Sequence, residues 1–322
     1  MKEIGGYIEL EHYHGEMLHE EGLKLNCGRN CLDYLIQTKK IRMLYLPELM
    51  CDSVISPCRR NDVDVRLYPV GFDLRPVLDA VPDDAWVYIM NYYGQYTPEE
   101  IREYEEKYPH IILDNAQAYF DAPLERIDVI YTCRKFFGVP DGAILYTDGT
   151  GKTVLEQSQS HENMEHLLGR FECGGSAFYQ QSVENNRRMA DTPVMRMSML
   201  TENLLRSIDY TYVKERRTRN FLYLAEHLGK YNRLRLRMVE GAFAYPLFAE
   251  NAAQMREFFR KRLIYVPVLW PNVLRSVEKD STAYQLADGI LPLPCDQRYT
   301  EHEMAEICKV AELFFTSALK LL

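Results

Sequence analysis

The chain has 322 residues, of which 47% are apolar and 26% charged, as is typical of a globular protein with a large core. Its formal net charge of −9 argues against a nucleic-acid-binding protein, because phosphate backbones are bound by basic surfaces. No stretch approaches the roughly 18 apolar residues of a membrane span, and the N-terminal sequence does not resemble a secretory signal. We therefore expect a cytoplasmic protein without a membrane or nucleic-acid partner.

The eight cysteines are scattered along the chain. They form no CxxC pair and no cysteine–histidine group with zinc spacing, so no metal site is predicted. We expect most of them to be buried thiols in a reducing compartment.

Strand and helix patterns alternate through the first 146 residues. After a turn at 25–30 that leads into a helix, apolar strands are predicted at 41–47, 63–70, 85–94, 110–120, 127–136 and 143–146. Helices are predicted between them at 51–60, 74–81 and 97–109. Several of the strands are continuous apolar runs, which suits a sheet covered on both faces. The pattern predicts an α/β domain with a mostly parallel central sheet.

The pattern changes after about residue 155. The segment 155–200 is polar, rich in methionine, aromatics and arginine, and poor in strand or helix signals, a mix that suggests a subunit interface. Beyond it we predict a long helix at 198–231, a helix at 251–262, a C-terminal amphipathic helix, and strands at 233–238, 242–248 and 263–269. This predicts a large domain at 1–205 and a smaller α+β domain at 206–322.

Three features in the first half of the sequence are candidates for a catalytic or ligand-binding site. Asp114 follows an apolar strand, where the ligand crevice of a parallel sheet lies, although such a residue can equally cap a turn. Lys135 ends the next strand, where a lone lysine is more often a surface residue. The turn at 28–31 opens a helix whose N–H groups form a natural phosphate site, to which Arg29 adds a positive charge.

Together these features match the requirements of pyridoxal phosphate (PLP). A lysine amine forms a Schiff base with the cofactor aldehyde, and a carboxylate pairs with the pyridinium nitrogen. The helix N-terminus would bind the phosphate, and the hydroxyl of Thr132 could reach it as well. We expect burial beside a cation to lower the pKa of Lys135 and to favour its neutral amine.

The same residues resemble the DegT/StrS group of PLP-dependent aminotransferases, which have fold type I. The D-x-A-Q block of that family is matched by Asp114, Ala116 and Gln117, and its lysine block by Thr132, Lys135 and Gly142. The segment YLPELMCDSV resembles the part of the family that covers the cofactor ring, and YVPVLWP and ILPLPCDQRYTEHEM resemble parts of its small domain. The resemblance extends over residues 25 to 315.

This resemblance implies an aminotransferase that moves an amino group from an amino acid, commonly glutamate, to a keto group on a nucleotide-linked sugar. It also implies a homodimer with active sites at the subunit interface. Lys135 is then the catalytic residue. The implied cofactor-binding residues are Gly28, Arg29, Asn30, Cys31, Cys51, Asp114, Gln117, Thr132 and Lys135. Tyr93 and Arg196 are implied as substrate residues.

The chain departs from the family pattern at three places. Arg29 replaces the usual threonine, Val194 replaces an asparagine, and no aromatic residue lies near Cys51 to stack on the cofactor ring, so Tyr92 or Tyr93 is the candidate. Two other readings remain open. One is a PLP-dependent lyase or dehydratase, and the other is a protein of this fold that has lost catalysis and only binds.

Overall fold

The computed structural model describes residues 4–149 and 154–319. The strands in these ranges are β1 (Leu23–Leu25), β2 (Met43–Pro47), β3 (Asp64–Tyr68), β4 (Trp86–Met90), β5 (Ile111–Asp114), β6 (Asp128–Thr132), β7 (Ala143–Tyr146), β8 (Tyr245–Phe248) and β9 (Ile290–Leu293). The α-helices are α1 (Gly28–Lys39), α2 (Asp52–Arg60), α3 (Pro98–Lys107), α4 (Glu165–Cys173), α5 (Tyr179–Asp191), α6 (Met199–Leu205), α7 (Tyr210–Leu228), α8 (Ala252–Arg260), α9 (Val273–Ser276), α10 (Thr282–Gly289) and α11 (Glu301–Leu319). Within the described ranges, no helix is long and apolar enough to span a bilayer.

The first seven strands form one sheet in the order β1-β7-β6-β5-β4-β2-β3. All neighbouring pairs from β3 to β6 are parallel, and only β7 runs against its neighbours. The predicted α/β fold class with a mostly parallel sheet is thus confirmed. Strands β4, β5 and β6 lie side by side, so their carboxyl ends meet at one edge of the sheet.

Two apolar cores hold the molecule together. The larger one surrounds the seven-stranded sheet, and the smaller one lies between α7, α8, α11 and the β8–β9 pair. Helix α7 takes part in both, because Val213 packs into the larger core while Phe221 and Leu224 pack into the smaller one. The two cores are therefore connected by a continuous helix.

Three predicted elements are wrong. The helix predicted at 74–81 is irregular chain, because Pro76 cannot donate to a helical hydrogen bond and instead sits in an isolated bridge with Val70. The strands predicted at 233–238 and 263–269 are also irregular, since neither segment has a partner strand beside it. Their apolar residues pack without a ladder of hydrogen bonds, Leu234 onto the larger core and Ile264 and Val266 onto the smaller one.

Other elements differ in length or type. The segment 155–200 contains α4, α5 and the start of α6, although it was predicted to lack helical signals. The long helix predicted at 198–231 is two helices, α6 and α7, with Ser198 and Asp209 as their N-caps. Strands β5 and β6 end earlier than predicted, at Asp114 and Thr132. All eight cysteines are free thiols, and all except Cys51 and Cys173 are buried, as expected.

Candidate active site

Asp114 is the last residue of β5, and its carboxylate is buried. Its Oδ2 accepts a hydrogen bond from the hydroxyl of Tyr88 on β4 at 2.7 Å, and its Oδ1 accepts one from the N–H of Ala116 at 2.7 Å. Burial raises the pKa of Asp114, while the positive charge of Lys135 and the two hydrogen bonds oppose that rise. The sequence thus places a fixed carboxylate at the edge where three strands end.

Lys135 lies one turn beyond β6. The strand ends at Thr132, and residues 133–135 form a 3₁₀ turn that closes with a bond from the N–H of Phe136 to the carbonyl of Cys133, 3.0 Å. The expected burial of Lys135 is wrong, because its side chain is exposed. Its Nζ lies 5.8 Å from the centroid of the Phe243 ring, and its charge acts on Asp114. The amine therefore projects from the sheet edge toward the small domain.

The loop after Lys135 is fixed by several contacts. Gly142 has a φ of +109°, and a Cβ there would lie 2.9 Å from Cγ2 of Thr201, so this turn requires glycine. The buried carboxylate of Asp141 accepts hydrogen bonds from the N–H and hydroxyl of Ser198, at 3.1 and 2.8 Å, and from the hydroxyl of Thr201. The strand pair β6–β7 and these bonds fix both ends of the loop.

The N-terminus of α1 faces the end of β6. A Cβ at Gly28 would lie 3.8 Å from Cβ and 3.9 Å from Oγ1 of Thr132. The N-cap, Cys27, provides no side-chain hydrogen bond, and the N–H groups of Gly28 and Arg29 have no partner among the described residues. Unsatisfied N–H groups and the helix dipole make such an end attractive to an anion.

Two arginines add positive charge at this helix end. Arg29 and Arg134 are half-buried, and both act electrostatically on the thiol of Cys27. Burial and the charge of Arg29 lower the pKa of Arg134, whose guanidinium donates to Oδ1 of Asn186 at 2.7 Å. No carboxylate of the described residues lies within ion-pair distance of either arginine. The excess positive charge fits a phosphate.

Asn30 and Cys31, in the first turn of α1, are both buried. The buried amide of Asn30 donates to the carbonyls of Thr192 and Pro193, at 3.1 and 2.8 Å, and so anchors the chain before α6. Cys31 is fully buried in α1, and its thiol interacts electrostatically with Asp114. Burial raises the pKa of Cys31 well above its usual value. It contributes an un-ionised apolar surface beneath the carboxylate.

Tyr93 and Gln117 are connected by a hydrogen bond between two loops. Tyr93 has a φ of +54°, an uncommon conformation for a residue with a Cβ, and its N–H donates to Oε1 of Gln117 at 2.8 Å. Its buried hydroxyl has no partner among the described residues. Its ring lies 6.2 Å from Trp270 and 6.3 Å from Phe243, two residues of the C-terminal part of the chain.

Cys51 is the half-buried N-cap residue of α2, with its Sγ 2.7 Å from Oγ of Ser53. Its thiol and the Asp114 carboxylate both act on the phenol of Tyr88, which places Cys51 near the same sheet edge. The side-chain amide of Asn272 donates to the carbonyl of Met50 at 2.8 Å. Residues of the C-terminal part thus reach over this side of the site.

Arg196 lies at the far edge of the sheet. It forms isolated bridges with Leu25 and Gln157, and its N–H donates to the carbonyl of Glu156 at 2.8 Å. Its side chain is exposed and forms no hydrogen bond or ion pair with any residue in the described ranges. The chain therefore brings together Asp114, Thr132, Lys135 and the start of α1, and leaves Arg196 apart from them.

Known structures share the fold over nearly the whole chain. DesV from S. venezuelae, in complex with a ketimine intermediate, matches at 15% identity and a TM-score of 0.63, covering 91% of this chain and 84% of that chain. A putative sugar aminotransferase from Streptococcus pneumoniae in its PLP form matches at 13% identity and 0.64, covering 95% and 89%. A DegT DnrJ EryC1 StrS aminotransferase from Brucella abortus matches at 14% identity and 0.59, covering 91% and 85%. No family model and no curated protein matches the sequence.

The chain has the fold of the sugar aminotransferases. The resemblance noted in the motifs is confirmed at the level of this fold, which is fold type I. Sequence analysis missed three residues of the C-terminal part that lie near the site, namely Phe243, Trp270 and the buried Arg217 described below. These residues carry no motif, and Phe243 and Trp270 come near the site only because they pack onto the larger core.

Proposed function

We propose that the protein is a PLP-dependent aminotransferase. The observation that carries the proposal is the buried carboxylate of Asp114, held by Tyr88 and Ala116, at the sheet edge from which Lys135 projects. A lysine and a carboxylate are the two groups that PLP chemistry requires of the protein. The fold shared with sugar aminotransferases supports the same assignment.

The residues present fit the cofactor. The start of α1 offers free N–H groups, and the absence of a Cβ at Gly28 leaves space between that helix and the hydroxyl of Thr132. These groups, with Arg29, would bind the phosphate, while Asp114 would pair with the ring nitrogen. The amide nitrogen of Gln117 has no acceptor among the described residues, so it is free to donate to the cofactor.

Each protein group then has a defined task. PLP, when bound, supplies a ring that withdraws electrons from the substrate carbon. Asp114 would pair with the ring nitrogen and hold a proton there, since a buried carboxylate stabilises an adjacent positive charge. Lys135 would hold the cofactor through its amine, and the same amine would be the group that accepts and returns the substrate proton. The buried thiol of Cys31 helps to exclude water from the carboxylate.

The donor we propose is glutamate, and the acceptor is a keto group on a nucleotide-linked sugar. Several of the matching structures are of known or putative sugar aminotransferases, which supports a sugar acceptor. Free thiols at all eight cysteines suit a reducing compartment, so we place the reaction in the cytoplasm. A PLP-dependent lyase or dehydratase and a non-catalytic binding protein are the alternatives.

A half-reaction assay tests this function. Glutamate added to the PLP-loaded protein should change its visible absorbance and yield 2-oxoglutarate, and a nucleotide-linked keto-sugar should then restore the spectrum and yield an amino sugar. Formation of ammonia or of a dehydrated sugar would favour the lyase alternative. A spectrum that responds to no amino donor would favour the binding protein.

Arg29 is expected to strengthen cofactor binding. Arg29→Ala removes one charge-assisted hydrogen bond to the phosphate, and we expect PLP binding to weaken by roughly 1.5–3 kcal/mol. Titration of the cofactor-free protein with PLP measures the change. The control is Arg59→Ala. It removes an exposed arginine in the last turn of α2, at the end of that helix opposite to Cys51, and should leave the affinity for PLP unchanged. Equal affinities of wild type and Arg29→Ala would show that Arg29 does not contact the phosphate.

We also propose a homodimer whose active sites use both chains. Helices α4 and α5 expose apolar side chains, with Phe171 92% and Tyr179 69% exposed, as expected of a surface that another chain covers. The side chain of Arg196 has no partner among the described residues, and it is the candidate that acts across the interface. In this arrangement it would bind substrate in the site of the neighbouring chain.

Mixing two inactive variants tests the shared site. Lys135→Ala and Arg196→Ala should each be inactive alone, while mixed dimers should recover up to one working site in two. The measurement is turnover after the two proteins have been dissociated together and reassembled, with each variant reassembled alone as the control. A monomer in sedimentation, or no recovery on mixing, would contradict the shared site.

A further inference from the structure

We propose that Arg217 is a positioning residue for Lys135, because its guanidinium binds both the residue that follows the lysine and the segment against which the lysine lies. The inference rests on the proposed function, in which Lys135 attaches the cofactor. It adds a residue of helix α7 that lies outside the motifs shared with the aminotransferases.

The guanidinium of Arg217 is buried, with 2% of the residue exposed, and every one of its acceptors is a neutral oxygen. Its Nη2 donates to the carbonyl of Phe136 at 3.1 Å, and its Nη1 donates to the carbonyl of Ala242 at 2.9 Å. Its Nε donates to Oε1 of Gln297 at 2.7 Å. The side chain of Arg217 therefore connects the loop that contains Lys135 with two segments of the C-terminal part, one at Ala242 and one at Gln297.

Phe136, the residue after Lys135, has further contacts besides its hydrogen bond from Arg217. The carbonyl of Phe136 accepts a second hydrogen bond, from Nε2 of Gln297 at 2.8 Å. The guanidinium carbon of Arg217 also lies 4.6 Å from the centroid of the Phe136 ring. With its carbonyl and its ring both fixed, Phe136 leaves the preceding Lys135 little freedom in its backbone.

The surface that Lys135 contacts is held by the same group. The Nζ of Lys135 lies 5.8 Å from the Phe243 ring, and Nη1 of Arg217 lies 3.4 Å from the carbonyl of Phe243. Loss of the guanidinium would remove the hydrogen bond to Phe243 and one of the two side-chain donors to the carbonyl of Phe136. The direction in which the lysine amine points therefore depends on Arg217.

Stability alone does not account for this arginine. Burial lowers the pKa of Arg217 to about 10, so it is charged at neutral pH, yet no carboxylate lies within ion-pair distance of it in the described part of the chain. A buried charge costs desolvation energy, and well-packed apolar residues often replace buried ionic groups without loss of stability. The geometric role at Lys135 gives a reason for its presence.

The test compares Arg217→Met and Arg217→Lys with Arg256→Met. Arg256 is the control for loss of an arginine that donates to carbonyls, because its acceptors are the carbonyls of Asp288 and Ile290 and it has no hydrogen bond to Phe136 or Phe243, although its charge also acts on Tyr93. The rate at which PLP attaches to Lys135 is measured by reducing the adduct with borohydride at set times and quantifying it by mass spectrometry. Because a misplacement of about 1 Å can cost on the order of 10²-fold, we expect attachment to slow at least about tenfold in Arg217→Met. Arg217→Lys should recover part of the rate, and Arg256→Met should match the wild type.

A second measurement needs no cofactor. Acetic anhydride labels lysine amines, and the labelling profile of Lys135, which is its labelled fraction against time at a fixed pH, reports how accessible its amine is. We expect this profile to shift in Arg217→Met and to stay unchanged in Arg256→Met. If Arg217→Met does not fold, Gln297→Met removes the second donor to the Phe136 carbonyl and should give a smaller change in the same direction.

The outcomes separate the two proposals. If the wild type attaches no PLP, the proposed function fails, and the labelling profile alone decides the role of Arg217. If attachment occurs and a folded Arg217→Met has both the attachment rate and the labelling profile of the wild type, the positioning role is overturned.

Discussion

Replacement of Lys135 by alanine should abolish turnover while the protein remains folded. The amine is the group that attaches PLP and moves the substrate proton, and loss of a proton-transfer group alone typically costs on the order of 10²–10⁴-fold. The side chain is exposed, but its charge acts favourably on the buried carboxylate of Asp114, so we expect the free energy of unfolding to fall by no more than about 1 kcal/mol. The visible absorbance of the covalently bound cofactor should disappear.

Absorbance spectroscopy of the purified, PLP-loaded variant is the measurement, with thermal unfolding as the check of the fold. Lys24→Ala is a suitable control. Lys24 lies on the edge strand β1, pairs with Glu20 and is remote from the loop of Lys135. A variant that lacks Lys135 and keeps the wild-type spectrum would show that another amine attaches the cofactor, and the assignment of the site would be wrong.

Asp114→Asn should reduce turnover strongly and leave much of the cofactor binding intact. Asparagine keeps the shape of the side chain, and its oxygen can still accept the N–H of Ala116. It lacks the charge that keeps a proton on the ring nitrogen. Removal of an electrostatic partner from a buried catalytic site costs about 3 kcal/mol or more in the barrier, and we expect a loss of that size.

Steady-state kinetics and a PLP titration measure the two effects separately. Asp128→Asn is the matched control, because Asp128 is a buried carboxylate at the other end of the neighbouring strand, paired with Lys39 at 2.8 Å. That control should lower stability and leave the turnover of the folded protein near normal. Near-normal turnover of Asp114→Asn would mean that Asp114 only caps the turn at Ala116.

The seven-stranded sheet could largely be predicted from the sequence because its signals are local. Continuous apolar runs mark β2, β4, β5 and β6, and the capping residues Thr97 and Pro98 mark α3, where the structure has a complete capping box. The errors occur where local pattern and tertiary context disagree. At 74–81 a helical spacing of apolar residues contains Pro76, and at 233–238 strand-like residues have no neighbour with which to pair.

The candidate site likewise contains residues that could be predicted from the sequence and contacts that could not. Asp114, Thr132 and Lys135 follow strands that the sequence marks, so their convergence follows from a parallel sheet. The contacts of Lys135 with Phe243, and of Phe136 with Arg217, join residues about a hundred positions apart. Such contacts depend on how the second core packs against the first, and no local pattern encodes that packing.

The two donors to the Phe136 carbonyl have a consequence for the order in which the chain matures during synthesis. The strands of the large sheet all lie between Leu23 and Tyr146, so a growing chain can pair them early. Arg217 and Gln297 follow Phe136 by 81 and 161 residues. A ribosome-bound fragment can therefore complete the sheet before the loop of Lys135 has its last two hydrogen-bond donors. We therefore expect the protein to bind its cofactor only near the end of translation, after the second core has formed.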